Sequence, residues 1–152
     1  MKLASKPASK KFNPMNITLS QAKKVLATAT VKATQLNTKM SISVVDAGAN
    51  LVAFERMDGA FLGPIDIAMK KAKTAALFGK NTDVLGTLSQ PGQPLYNIEH
   101  SNNGMITFAG GIPIKNPDGV LIGAIGVSGS TVENDFKVAQ AGVNALLKTV
   151  KL

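Results

Sequence analysis

The sequence predicts one α/β domain of the α+β kind, a mainly antiparallel sheet of five strands with helices packed on it, in a profilin-like or PAS-like outline. Three observations lead there. The 152-residue chain is about one domain long, and its 45% hydrophobic content is ordinary for a packed core. Its apolar runs are short: VLIGAIGV at 120–127 has strand length, not the roughly 20 residues of a membrane span. Strand-like runs also follow one another across links of hairpin length, which join antiparallel neighbours, whereas a parallel sheet needs a crossover between each pair.

The elements follow in order. Thr18 and Gln21 stand at capping-box spacing, and Ala22, Val25, Leu26, Ala29, Ala33 and Leu36 recur at helical period, so a first helix is expected over about 19–36. The runs MSISVVD (40–46) and LVAFER (51–56) flank AGAN, where Gly48 and Asn50 supply turn conformations, and should pair as a hairpin. Pro64 opens a second helix with Ile65, Ala68, Met69, Ala72 and Ala76 on one face and Gly79 at its end. Residues 81–88 suit a short helix, and 89–104, broken by Pro91, Gly92, Pro94 and Gly104, a long exposed loop. Three strands are then expected, MITFA (105–109), IPIK and VLIGAIGVS, the last after an Asn116-Pro117-Asp118-Gly119 turn. The final helix starts near Ser130, three before Glu133, and turns Phe136, Ala139, Val143, Leu146 and Val150 inward.

Charge is distributed unevenly. Residues 1–45 carry eight lysines and no acid, which accounts for the whole net charge of +8, and the remaining nine basic and nine acidic residues cancel. Half of the excess falls in MKLASKPASKKFNP, which lacks hydrophobic periodicity, so 1–16 is expected to be a basic flexible tail and 17–152 a single domain. No aromatic interleaving or binding motif accompanies the lysines, so no specific nucleic-acid partner is expected. The tail has the basic start of a secretory signal without its apolar region, which favours a soluble, cytoplasmic protein. With no cysteine and one histidine, thiol chemistry and disulfides are excluded and a protein zinc site is disfavoured. GVSGS departs from the GxSxG elbow by one residue after the serine, and a serine hydrolase would need the lone His100 as its base.

Taken together, SVVDAGANLVAFERMDGA, IAMKKAKTAALFG, FAGGIPI and DGVLIGAIGVSGSTVENDFKVA resemble the haem-degrading or haem-binding domain family. That family includes an extracellular haem-binding sensor partner of actinobacteria, the glycolate-operon accessory protein and the C-terminal domain of some cobalamin adenosyltransferases. The resemblance covers about 19–147. It implies the same α/β sheet fold, homo-oligomers and, in several members, haem as cofactor; it does not imply one shared reaction.

Candidate site residues fall in three places. Along the last strand, one face passes from Val120 and Ile122 to Ala124, Gly126 and Ser128. This taper leaves either a hollow beside the amides of Gly129 and Ser130, suited to a carboxylate or propionate, or merely room for a closely packed helix whose start Glu133 and Asp135 already complement. Arg56 and Lys73 are carboxylate-binding candidates, against a strand-end ion pair of Arg56 with Asp58 and a solvated face of Lys73 beside the Asp66–Lys70 pair. In the loop, Tyr96 and His100 are haem ligand types four residues apart, and His100 is the candidate metal ligand, although surface residues without a role are the commoner explanation of such a pair. The functions left standing are a haem-binding protein that sequesters or degrades the cofactor, a non-catalytic small-ligand sensing or accessory module with a small-molecule or protein partner, and an enzyme acting on a small hydroxyacid.

Overall fold

The computed structural model describes residues 16–147. Four antiparallel strands, β1 (Ser41–Asp46), β2 (Leu51–Arg56), β3 (Gly111–Lys115) and β4 (Leu121–Ser128), form one sheet in the order β2-β1-β4-β3. The helices are α1 (Leu19–Gln35), α2 (Gly63–Phe78), α3 (Thr82–Leu88) and α4 (Val132–Leu147), with a single 3-10 turn at Ile98–His100.

Helices α1 and α4 cover one face of the sheet. Their Val25, Leu26, Ala29, Val138 and Ala139 pack with Ile42, Val44, Ile114, Ile125 and Val127 in the main core. Because side chains alternate along a strand, Val45 and Ala124 point to the other face, where they meet Ala72, Ala75 and Ala76 of α2. A slip in register between Ile114 and Lys115 leaves Ile122 without a direct partner and turns it into the main core, off the face that strict alternation assigns it.

Helix α2 sits unusually close to the sheet. A Cβ on Gly126 would lie 2.0 Å from the Ala68 carbonyl oxygen and 2.4 Å from the Ala72 nitrogen, and one on Gly111 would lie 2.5 Å from the Lys71 carbonyl oxygen. Only glycine permits this approach. The small-residue taper of β4 therefore serves helix packing at Gly126.

The Thr18–Gln21 capping box forms in both directions, and Gly79 ends α2 in the left-handed conformation. Four expectations need correction. The sheet has four strands, not five: residues 105–109 make no ladder, since Ile106 N donates to Thr74 Oγ1 at 3.2 Å and Phe108 O accepts from Thr82 Oγ1 at 2.7 Å. Hydroxyls of α2 and α3 replace a neighbouring strand. In the β1–β2 hairpin the positive φ belongs to Ala49 rather than Gly48 or Asn50, because Asp46 Oδ1 accepts from both Gly48 N and Asn50 N at 2.9 Å and fixes the turn. Helix α4 is capped by Thr131, whose Oγ1 accepts from Asn134 N at 3.2 Å, one position later than the Ser130 start. Asn16, assigned to the tail, accepts from Ala47 N at 3.0 Å and is tied to the hairpin. The rest of the tail, and Val150, lie outside the described residues.

Candidate functional site

The site lies at the end of the sheet where β4 leaves it. Beyond Ser128 the chain turns at Gly129, with φ 148, and passes hard against the residues that lead into β1: a Cβ on Gly129 would be 2.7 Å from Lys39 O. The start of α2 and the segment ahead of β3 close in from the other side. Between them is a recess of about 520 Å³, with Phe61, Pro64, Ile67, Phe108 and Val132 as its apolar walls and Ser128, Gly129 and Ser130 along one rim. That volume is in the range of roughly 300–1,000 Å³ typical of small-molecule and cofactor sites. Phe61 is 77% exposed and Phe108 43% exposed, so the walls are open to solvent.

Beneath the recess is an ion pair. Lys71 Nζ donates to Asp135 Oδ2 and to the Val127 carbonyl oxygen, each at 2.8 Å, and stands 4.8 Å from the centre of the Phe108 ring. Their side chains are 0% and 3% exposed. Burial pushes the Lys71 ammonium pKa down and the Asp135 carboxyl pKa up, each opposed by the charge and hydrogen bond of the other. Asp135 Oδ1 also accepts from Ser130 N at 3.1 Å. The helix-start amide considered for an incoming anion is thus already satisfied by the protein's own carboxylate.

Two further recesses continue the first. One of about 440 Å³ shares Phe61, Gly129 and Ser130 with it and adds Lys39 and Gly59. The next, about 580 Å³, shares Asn37, Thr38 and Lys39 and extends to Glu55, Arg56 and Asp58. The three form one furrow, apolar at the Phe61–Phe108 end and polar at the other.

The candidate residues of the sequence separate accordingly. Ser128, Gly129 and Ser130 rim the apolar recess, Arg56 lines the polar end, and Gly126 lies beneath α2. Arg56 forms no ion pair with Asp58; the ion pairs among the described residues are Lys70–Asp66, at 2.9 Å, and Lys71–Asp135. Lys73 Nζ donates to Asn102 O, which ties the long loop to α2. Tyr96 and His100 stand exposed on that loop, and Glu99 between them accepts from Thr107 Oγ1 at 2.6 Å, a bond that holds its carboxyl below the usual range. Among the described residues no cluster of three or more His, Cys, Asp or Glu side chains could hold a metal ion, and no helix is long and apolar enough to cross a membrane.

Sequence reasoning missed Lys39, Phe61, Phe108 and the Lys71–Asp135 pair. A signal existed for the pair. Lys71 stands three after Ala68 and four before Ala75, and Asp135 stands three before Val138 and four before Ala139, so each charge falls on the buried stripe of its helix.

Comparison with known proteins agrees with this architecture. The family model for the haem degrading protein HbpS-like group matches residues 17–144, nearly all of the described chain. The chain belongs to the HbpS-like family. Within or alongside it, the chain is 40% identical over 129 residues to an uncharacterized 15.0 kDa protein in the dhaT-dhaS intergenic region of Citrobacter freundii, covering 84% of this chain and 90% of that one. It is 35% identical over 141 residues to the corrinoid adenosyltransferase PduO of Salmonella typhimurium, covering 92% of this chain but only 42% of that protein. The HbpS-like chain therefore spans less than half of PduO. Among solved structures, a PduOC:heme complex superimposes with a TM-score of 0.81 at 34% identity, covering 86% of this chain and 94% of that one.

Proposed function

We propose that this HbpS-like protein binds haem, seating the ring in the recess between Phe61 and Phe108 and using it for sequestration or degradation of the cofactor. The recess is the observation that carries the proposal: its walls are aromatic and aliphatic, its rim is serine and glycine, and it opens to solvent, as suits a flat apolar ring with polar edges. Family membership and the likeness to a haem complex support it. Bound haem would supply iron chemistry and a visible spectrum. No histidine, methionine or tyrosine lines the recess, so we assign the iron ligand to Tyr96 or His100 of the long loop, from the same chain or from a second copy in a homo-oligomer.

Titrating micromolar haem into the purified protein tests the proposal. A saturable Soret shift at one equivalent per chain is expected. Its absence would leave a small-ligand sensing or accessory module as the better account. Light scattering should give a mass above the 15.8 kDa of one chain.

A further inference from the structure

The polar end of the furrow carries a more specific assignment, which rests on the proposed haem binding. We propose that Lys39, assisted by Arg56, receives the ligand's carboxylates, so that the protein selects a flat apolar ring with carboxylates on one edge over the same ring without them.

The assignment follows from what each cationic group near the site already does. Lys71 is held by Asp135 and the Val127 carbonyl, Lys70 by Asp66, and Lys73 by the Asn102 carbonyl. The Ser130 amide donates to Asp135. Lys39 and Arg56 line the furrow, and neither belongs to an ion pair among the described residues. Lys39 is placed at the junction. It lines both the middle recess, which reaches Phe61, Gly129 and Ser130, and the polar one that contains Arg56.

Its side chain is also positioned. The stem of Lys39 lies along Gly59, where an added Cβ would stand 3.0 Å from Nζ and 3.1 Å from Cδ, so the left-handed Gly59 (φ 79) leaves a track for the lysine beside Phe61. A ligand ring on Phe61 would present its edge to that ammonium. Two carboxylates oppose an anion at the far end. Glu55 is partly engaged, accepting from Thr30 Oγ1 at 3.2 Å, whereas Asp58 lines the recess beside Arg56. Lys39 lines the recess shared with Phe61 as well as the polar one, whereas Arg56 lines the polar one beside both carboxylates, so the lysine is the principal anchor and the arginine the secondary one. A charge-assisted contact to carboxylate is about twice as strong as a neutral hydrogen bond, enough to set preference between ligands of equal ring area.

The experiment titrates haem and haem dimethyl ester, whose propionates carry no charge, into the wild-type chain, Lys39→Gln, Arg56→Gln and Lys80→Gln. Lys80 is exposed and lines none of the furrow, so its variant controls for the lost net charge. Wild type should prefer haem to the ester by tenfold or more; Lys39→Gln should erase that preference by weakening haem alone, Arg56→Gln should reduce it less, and Lys80→Gln should leave it unchanged. Wild-type binding of haem that Lys39→Gln leaves intact, or an equal loss for haem and ester in that variant, would overturn the anchor while haem binding stands. A wild-type chain that binds neither compound would overturn haem binding itself, and the anchor with it.

Discussion

Lys71 Nζ and Asp135 Oδ2, 64 positions apart in sequence, meet at 2.8 Å almost wholly buried, and through that contact α2 and the first turn of α4 are pinned to the end of β4. Lone charges at such depth are costly, so the two must be kept or lost together. Lys71→Ala or Asp135→Ala alone should destabilise the protein by about 3–5 kcal/mol, whereas Lys71→Met combined with Asp135→Leu should cost far less than the sum. Urea unfolding of the two singles and the double, analysed as a cycle, checks this. Additive losses would show that the pair does not act as a unit.

The seat of α2 on Gly126 gives a second outcome. Gly126→Ala places a methyl 2.0 Å from the Ala68 carbonyl oxygen, a backbone atom that yields only if the helix moves, and should cost about 3 kcal/mol or more. Gly63→Ala, with nothing within 4 Å, should change stability by no more than about 1 kcal/mol. Thermal melts of both variants suffice.

Capping of α4 separates two adjacent hydroxyls. Thr131→Ala removes the acceptor of the Asn134 amide and should cost about 1 kcal/mol, while Ser130→Ala removes only a contact with the Asn134 side chain and should cost a few tenths. Equal losses in chemical denaturation would contradict Thr131 as the cap.

Glu99 predicts a pH dependence. Its carboxyl pKa is lowered from 4.5 chiefly by the Thr107 hydroxyl, so the folded state favours the ionised form. The stability so contributed is present above the unfolded pKa and disappears as pH falls through the lower folded value. Thr107→Val should therefore weaken the protein at neutral pH, and its difference from wild type should shrink on acidification below about 4.5. A gap that stays constant from pH 7 to 3 would assign the effect to packing.

For the proposed iron ligands, His100→Ala or Tyr96→Phe should shift the Soret band of the haem complex or weaken its affinity about tenfold, roughly 1.4 kcal/mol. Unchanged spectra and affinity in both variants would remove the loop as the source of the ligand.

Local rules made most of the fold legible in the sequence. Thr18 with Gln21, Pro64 with Gly79 and the spacing of Ala22, Val25 and Ala29 each report on a few neighbouring positions, and the helices follow. The fifth strand failed because MITFA has strand composition but spends its backbone groups on Thr74 and Thr82, partners that periodicity does not identify. The furrow was legible only at Arg56 and Ser128–Ser130. Lys39, Phe61 and Phe108 carry no common motif and meet only once the sheet has brought the ends of β1 and β4 together.

The strand order also governs the timing of folding. The two central strands are β1 and β4, paired from Ser41↔Ser128 to Asp46↔Gly123, with β2, α2, α3 and β3 made between them. During synthesis the β1–β2 hairpin emerges early but keeps one long edge unmatched, and α2 has no Gly126 to rest on, until the last strand arrives. Closing so long an excursion carries an entropic cost that grows only slowly with its length, yet such distant pairings slow the search for the native state. A nascent chain of this topology thus reaches its committed step only once β4 has been made, and until then its exposed β1 edge is the part most in need of a chaperone.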